Sequence, residues 1–120
     1  MTTTIEVTEF TDPGCVWSWS SEPKLRWLRH HYGEQVAWRR VFGIQVDDLK
    51  LSFPDRDAVA SAEAWRADWL AVAAQSGAPI TSHLEWMLAS SRPASKAAKA
   101  GEAQGEEIAD AVLRRLREAV

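Results

Sequence analysis

With 120 residues, the chain is long enough for one domain, or for one domain and part of another. Its composition, 46% hydrophobic and 26% charged, is that of an ordinary soluble protein, and a net charge of −3 argues against a nucleic-acid surface, which normally needs a basic patch. The apolar runs are too short to span a membrane, and the first residues lack the basic and apolar segments of a secretory signal. We therefore expect a cytoplasmic protein without nucleic-acid or membrane partners.

The chain begins with a predicted strand and a turn. Ile5 and Val7 favour a short strand that runs to about Phe10, and the sequence Asp12-Pro13-Gly14 ends it. Cys15 follows in the turn and immediately precedes a predicted helix. Because it is the only cysteine, no disulfide can form within the chain.

The first helix is predicted to extend to about His31. Its apolar residues at helical spacing are Leu25, Leu28 and Tyr32. Pro23 lies within this stretch and should kink the helix or mark a restart, since proline lacks an N–H. Gly33 is the expected end of the helix.

A second strand is predicted from Gln35 to Phe42, where apolar residues alternate between two faces. Two strands joined by a helix of this length form a right-handed βαβ unit with parallel strands. We assign this unit to residues 1–45.

The rest of the chain, residues 55–120, is predicted to be a helical region. One helix spans about Asp57 to Ser76, and Gly77 and Pro79 close it. Its predicted apolar face consists of Val59, Ala62, Trp65, Trp69, Val72 and Ala73. Residues Ser82 to Leu88 are predicted to form another short helix or turn.

Two further helices are predicted before Val120. Ser91 is the expected cap of a helix that has Pro93 in its first turn and continues over residues 94–103, and Gly105 breaks that helix. The last helix is predicted from Glu106 to Ala119. Its apolar stripe is Ile108, Val112, Leu113 and Leu116, and the arginines that complement its dipole are Arg114, Arg115 and Arg117.

Cys15 is the residue most indicative of chemistry. A strand-to-helix turn presents free N–H groups and the positive end of the helix dipole, which favour a cysteine thiolate. On this hypothesis Cys15 is the nucleophile, and the N–H groups near Val16 to Ser18 stabilise its thiolate. Pro13, Trp17 and Trp19 would then shape a substrate groove. The alternative is a small buried cysteine at the end of a strand.

Other candidate residues have simpler explanations. The tryptophans that core packing would equally explain are Trp17, Trp19, Trp65 and Trp69. Ser18 is either a site residue or a hydroxyl at a helix start. The adjacent His30 and His31 point about 100° apart on a helix and cannot chelate one metal ion together. Because His83 is isolated and only one cysteine is present, we expect no metal site.

The strand, the turn Asp-Pro-x-Cys-x-x-x-Trp-Ser-x-Glu-Pro and the helix together resemble the active-site region of the thioredoxin superfamily. Within it they most resemble the DsbA family, in the branch of FrnE-like and YjbH-like proteins. The matching residues are Asp12, Pro13, Cys15, Trp19, Ser20, Glu22 and Pro23. The stretches that resemble the helical domain inserted into that fold are 90–94, 97–100, 104–105 and 113–119. The resemblance implies an α/β fold, with a thioredoxin-like βαβ unit followed by a DsbA-type helical insertion region.

The sequence departs from this family in two respects. The oxidoreductases carry Cys-x-x-Cys, whereas Ser18 takes the second position here and cannot release a mixed disulfide. Family members also continue into further strands with a cis-proline, and too few residues follow Pro79 for it to be that proline. We therefore expect an incomplete sheet, whether in a fragment, a truncated product or a protomer completed by a partner. Its exposed edge favours a homodimer.

Three functions follow from these patterns. The first is a DsbA-family thiol–disulfide oxidoreductase or isomerase-like protein with one cysteine. It would at most form mixed disulfides with protein clients or with a low-molecular-weight thiol such as glutathione, and it would need no other cofactor. The second is a non-catalytic interaction module or proteolysis adaptor on the same fold. The third follows from Ser18-Trp19, which resembles the turn of kappa-class glutathione transferases and hydroxychromene-carboxylate isomerases and implies a glutathione-dependent transferase or isomerase.

Overall fold

The computed structural model describes residues 3–48, 55, 57–77, 79–81 and 89–119. Its elements, in chain order, are β1 (Ile5–Thr11), α1 (Val16–Tyr32), a single 3-10 turn (Gly33–Gln35), β2 (Val36–Phe42), α2 (Ala58–Gln75), α3 (Arg92–Glu102) and α4 (Glu106–Glu118). None of these helices is both long enough and apolar enough to cross a membrane. The short helix or turn predicted over Ser82 to Leu88 lies outside the described residues. The division into units 1–45 and 55–120 stays a prediction.

The two strands form a parallel sheet, with Ile5 opposite Val36 and Thr11 opposite Phe42. Because α1 connects them, the predicted α/β fold with a βαβ unit followed by helices is confirmed. β1 extends one residue beyond the predicted end, since the N–H of Gly43 donates to the carbonyl oxygen of Thr11 at 2.9 Å and prolongs the pairing. The sheet is incomplete, with two strands among the described residues. The homodimer through its edge stays a prediction.

α1 runs without interruption through Pro23, so the restart that was one expectation at this position is wrong. A proline within a helix removes one N–H, and the turns on either side of Pro23 keep their helical form. The helix ends as predicted at Gly33, whose φ of 49° suits glycine and whose N–H donates to the carbonyl oxygen of Arg29. Leu28 and Tyr32 are 37% and 41% exposed, so the apolar stripe of α1 is only partly buried.

An apolar core between α1 and α2 supports the Cys15 turn. Val16 and Trp19 from the start of α1 pack with Trp69 and Val72 of α2. Trp19 and Trp69 are each 1% exposed, which agrees with the core-packing interpretation of both tryptophans. Val59, expected on the same apolar face, is 69% exposed because it lies in the first turn of α2, away from this cluster.

α3 and α4 pack closely on each other through small residues. A Cβ added to Gly101 of α3 would lie 3.3 Å from the Cα of Ala109 in α4, so the two backbones approach where glycine leaves room. Leu113 is buried on the same face of α4, whereas Ile108 is 43% exposed, which divides the predicted apolar stripe between two faces. α3 begins at Arg92, directly after Ser91 and with Pro93 in its first turn, as predicted.

Candidate functional site

Cys15 occupies the N-cap position of α1 and is half-buried. Its N–H donates to the carbonyl oxygen of Asp12 and its carbonyl oxygen accepts from the N–H of Trp19, both at 3.1 Å. The thiol itself makes no capping hydrogen bond. The N–H groups of the first turn of a helix have no partner within the helix. Those of residues 16–18 therefore remain available to a negative charge on the Cys15 sulfur.

The carboxylate of Asp12 holds the turn in place. Asp12 is 3% exposed, and its Oδ1 accepts a hydrogen bond from the N–H of Gly14 at 2.6 Å. Its Oδ2 accepts from the N–H of Gln45 at 2.7 Å and from the hydroxyl of Ser91 at 2.6 Å. A buried carboxylate is stable only when such donors replace water. The Cys15 turn, the segment after β2 and the start of α3 therefore converge on one side chain.

Ser91 does not cap α3 with its side chain, although this role was expected for it. It occupies the N-cap position, but its hydroxyl makes no capping hydrogen bond and donates instead to the Asp12 carboxylate. A hydroxyl has one proton to donate, and the Asp12 oxygen at 2.6 Å lies closer to it than the carbonyl oxygen of Val46 at 3.1 Å. The hydroxyl of Ser90 accepts from the N–H of Arg92 at 3.1 Å, while the N–H of Ser91 donates to the carbonyl oxygen of Val46 at 2.7 Å.

An open groove of about 330 Å³ lies beside Cys15. The residues that line it are Phe10, Thr11, Asp12, Cys15, Ser18, Gly43, Ile44 and Gln45. Cys15 and Ser18 thus face one groove, with Ser18 in the first turn of α1. Phe10 is 76% exposed at its wall. The groove is therefore built by the turn, the end of β1 and the segment after β2.

The three residues expected to shape the groove differ in their burial. Trp17 is 60% exposed on the first turn of α1, next to Cys15 in the chain. Pro13 is buried within the turn, and Trp19 is in the core beneath it. None of the three residues is among those that line the groove. Pro13 and Trp19 are placed as supports for the turn.

A family model described as Thioredoxin matches residues 9–120, which is most of the chain. The chain belongs to the thioredoxin family. The matched range begins within β1 and contains the Cys15 turn, so the thioredoxin-like part of the resemblance is confirmed. Membership indicates a redox or thiol-related function in general terms. A search of curated proteins and a search of solved structures returned no match.

Arg117 is a residue near the turn of this thioredoxin-family chain whose position the sequence analysis did not identify. It is 3% exposed, and its Nη2 donates to the hydroxyl of Thr11 at 2.8 Å. Its guanidinium carbon lies 5.8 Å from the ring centre of Trp19. Arg117 follows the buried Ala109 and Leu113 at four-residue spacing and therefore lies on the inward face of α4. This spacing is the feature of the sequence that could have indicated its burial.

Burial lowers the pKa of Arg117 from its ordinary value. The negative charges of Glu9, Glu22 and an ionised Cys15 act in the opposite direction, whereas the charge of Arg40 adds to the lowering. Arg117 therefore interacts electrostatically with the turn as well as with the strands.

A separate charged cluster joins α4 to the sheet. Asp110 accepts hydrogen bonds from Arg29 at 2.5 Å and from Arg40 at 2.8 Å, and Arg40 also donates to Glu9 at 3.2 Å. The guanidinium carbon of Arg29 lies 4.4 Å from the ring centre of Trp38, whose Nε1 donates to Glu9 at 2.9 Å. Both charge signs are paired here, so the cluster is a structural network. No group of His, Cys, Asp or Glu that could hold a metal ion occurs in the described part of the chain.

Proposed function

We propose that this chain is a single-cysteine thiol–disulfide protein of the DsbA type. Its Cys15 would form mixed disulfides with a protein client or with a low-molecular-weight thiol such as glutathione. The observation that supports the proposal is the position of Cys15, half-buried at the uncapped start of α1 and open to the adjacent groove. An ionised sulfur at that position receives the N–H groups of the first helical turn.

The proposed step is a thiol–disulfide exchange. The Cys15 thiolate attacks one sulfur of a disulfide R–S–S–R′, so that a bond forms between Sγ and that sulfur while the original S–S bond breaks. The group R′–S⁻ leaves with the bonding electron pair and takes a proton from water. Ser18 lines the same groove, but a hydroxyl does not release the mixed disulfide. A second thiol from solution has to do so.

Reaction with oxidised glutathione tests this proposal. We expect intact-mass spectrometry of the native protein to show the addition of one glutathionyl group, and Cys15→Ser to show none. Iodoacetamide should also label native Cys15 faster at pH 7 than it labels a cysteine in an unstructured peptide. A native protein that stays unmodified, although the unfolded protein reacts, contradicts the proposal.

Ser18→Cys tests whether the missing second thiol is what makes the adduct persist. We expect this variant to release glutathione and to form an internal disulfide between residues 15 and 18, because the new thiol would lie in the same groove. Ser21→Cys, at an exposed position of α1, is the matched control and should retain the adduct. Equal adduct persistence in both variants contradicts the assignment of Ser18 to the second site position.

The exposed aromatic residues favour a second candidate, a non-catalytic interaction module. Phe10 is 76% exposed at the groove wall and Trp17 is 60% exposed next to Cys15, an arrangement suited to an apolar peptide segment. In this case Cys15→Ser would suppress the aggregation of reduced insulin as well as the wild type does. Phe10→Ser would lose that ability. The opposite pattern, loss in Cys15→Ser alone, would exclude the candidate.

A further inference from the structure

Arg117 and Arg29 each bury an Nε that has no hydrogen-bond partner among the described residues. Arg117 is 3% exposed, and its hydrogen bond to the Thr11 hydroxyl uses Nη2 and leaves Nε unpaired. A buried N–H without an acceptor has lost the hydrogen bond that it would make with water, which is unfavourable. An acceptor within reach of either nitrogen would therefore stabilise the fold.

Both arginines line one cavity of about 50 Å³ between α1, α4 and the sheet. A cavity needs roughly 10–15 Å³ to hold one water molecule. This cavity therefore has room for a small polyatomic ion, such as the four oxygens of a tetrahedral oxyanion. It shares no lining residue with the groove beside Cys15, so the two are separate sites.

Positive charge predominates among the residues that line this cavity. Three carboxylates line it, those of Glu9, Glu22 and Asp110. It is also lined by five arginines, namely Arg26, Arg29, Arg40, Arg114 and Arg117. We call it the arginine cavity. Glu118 lies outside the cavity and compensates part of this excess through its ion pair with Arg114 at 2.9 Å.

Each carboxylate of the arginine cavity is paired with an arginine of the same cavity. Arg40 donates to Asp110 at 2.8 Å and to Glu9 at 3.2 Å. Glu22 forms an ion pair with Arg26. A paired carboxylate repels an incoming anion less than a free one, because the neighbouring guanidinium compensates its charge.

Arg117, by contrast, is the one arginine of this cavity that forms no ion pair within the described part of the chain. A guanidinium that is buried without a compensating negative charge is strongly unfavourable. Its planar N–H groups match the oxygens of a phosphate or sulfate ion, to which they donate short, charge-assisted hydrogen bonds. An oxyanion would thus supply both the missing charge and the missing acceptor.

We propose that the arginine cavity binds one small inorganic oxyanion of the phosphate or sulfate class. The Nε–H groups of Arg117 and Arg29 donate to this ion. Because the lining residues come from α1, from both strands and from α4, the ion holds α4 against the βαβ unit. The site does not involve Cys15, so the inference goes beyond the proposed thiol function.

Titration of the wild-type protein with inorganic phosphate tests the site without any substitution. In proton–nitrogen NMR correlation spectra we expect the Nε–H resonances of Arg117 and Arg29 to shift and then to saturate, because both groups gain an acceptor. Sulfate should produce the same response. Sodium chloride at equal ionic strength is the control for general screening and should not produce it. Resonances that stay in place, or that move equally in chloride, would mean that the cavity holds water only and would overturn the inference.

Isothermal titration calorimetry with phosphate measures the contribution of Arg117. We expect Arg117→Met to weaken binding about 10- to 100-fold, because a charge-assisted hydrogen bond is lost. Arg117→Lys, which keeps the charge but not the guanidinium fork, should lose less. Arg115→Met is the matched control, since the Arg115 side chain is 84% exposed on the same helix, and should bind as the wild type does. Equal affinities of Arg117→Met and Arg115→Met would contradict the assignment, and the NMR titration decides the matter if Arg117→Met does not fold.

Discussion

The hydroxyl of Ser91 donates a hydrogen bond of 2.6 Å to the buried carboxylate of Asp12, which precedes it by 79 residues in the chain. This bond connects the start of α3 to the turn that carries Cys15. α3 and α4 supply no residue to the groove, yet they determine how the turn beside it is held. The helical region is therefore part of the candidate site through its support of Asp12.

Removal of this hydrogen bond should destabilise the fold. In Ser91→Ala the Asp12 carboxylate keeps two backbone donors but loses the one side-chain donor that it has among the described residues. We expect the free energy of unfolding to fall by about 1–3 kcal/mol. Urea denaturation measures the change. Ser21→Ala, at an exposed position of α1, is the control and should change stability by no more than about 0.5 kcal/mol. Equal stabilities of the two variants would show that the bond to Asp12 contributes nothing.

The stability of the fold at low pH should depend on the ionisation of Asp110. Burial raises the pKa of Asp110, but the hydrogen bonds and positive charges of Arg29 and Arg40 together outweigh this effect. The net pKa therefore lies below the ordinary value of 3.8. A depressed pKa gives stability that is fully present above the unfolded-state pKa and is lost as the pH falls through the folded-state pKa. The stability difference between the wild type and Asp110→Asn should therefore be constant above about pH 5 and shrink at lower pH. Urea unfolding at several pH values tests this, with Asp68→Asn, at an exposed position of α2, as the control.

The close approach at Gly101 should not tolerate a large side chain. A Cβ there would already lie 3.3 Å from the Cα of Ala109 and 3.4 Å from the Cγ2 of Val112. We expect Gly101→Leu to lower the free energy of unfolding by about 1–3 kcal/mol, because α4 would have to move away from α3. Ala100→Leu, an exposed neighbour on the same helix, should be nearly neutral in the same thermal or urea unfolding experiment. Similar losses in both variants would contradict close packing at Gly101.

The two tryptophans of the turn region should differ sharply in their effect on stability. Trp19 is 1% exposed in the core, so Trp19→Ala should cost about 3–5 kcal/mol. Trp17 is 60% exposed, and Trp17→Ala should change the free energy of unfolding by no more than about 0.5 kcal/mol. Urea denaturation followed by circular dichroism avoids the change in tryptophan fluorescence. Equal losses would mean that Trp17 packs against the fold in solution.

Local patterns predicted most of the fold. Alternation and helical spacing identified both strands and the main helices, because short-range periodicity determines which face of an element can be buried. Gly33 likewise marked the end of α1 in the sequence, because a residue without a Cβ accepts the positive φ at this position easily. Exposure of Leu28 and Ile108 was not predictable in this way, since it depends on which surfaces are covered by other parts of the chain.

The candidate site was only partly visible in the sequence. Cys15 and Ser18 lie within four consecutive residues, and a single helical turn brings both to the same groove. Ser91 and Arg117 act across the fold, on Asp12 and Thr11 respectively, and no local rule pairs residues so far apart. From the sequence, Ser91 was expected to cap a helix and Arg117 to interact with the helix dipole, because these are the interactions available within an isolated helix.

The pair of α3 and α4 differs from the rest of the molecule in how it is attached. The two helices contact each other through small residues at Gly101, and α4 is joined to the sheet by the ion pair of Asp110 with Arg40 at 2.8 Å and by the hydrogen bond from Arg117 to Thr11. Supersecondary motifs such as this helix pair often unfold locally as one cooperative unit. In native-state hydrogen exchange their amide protons should therefore open together, at a lower free energy than those of β1 and β2. Each opening event would break the Asp12–Ser91 bond and transiently release the Cys15 turn.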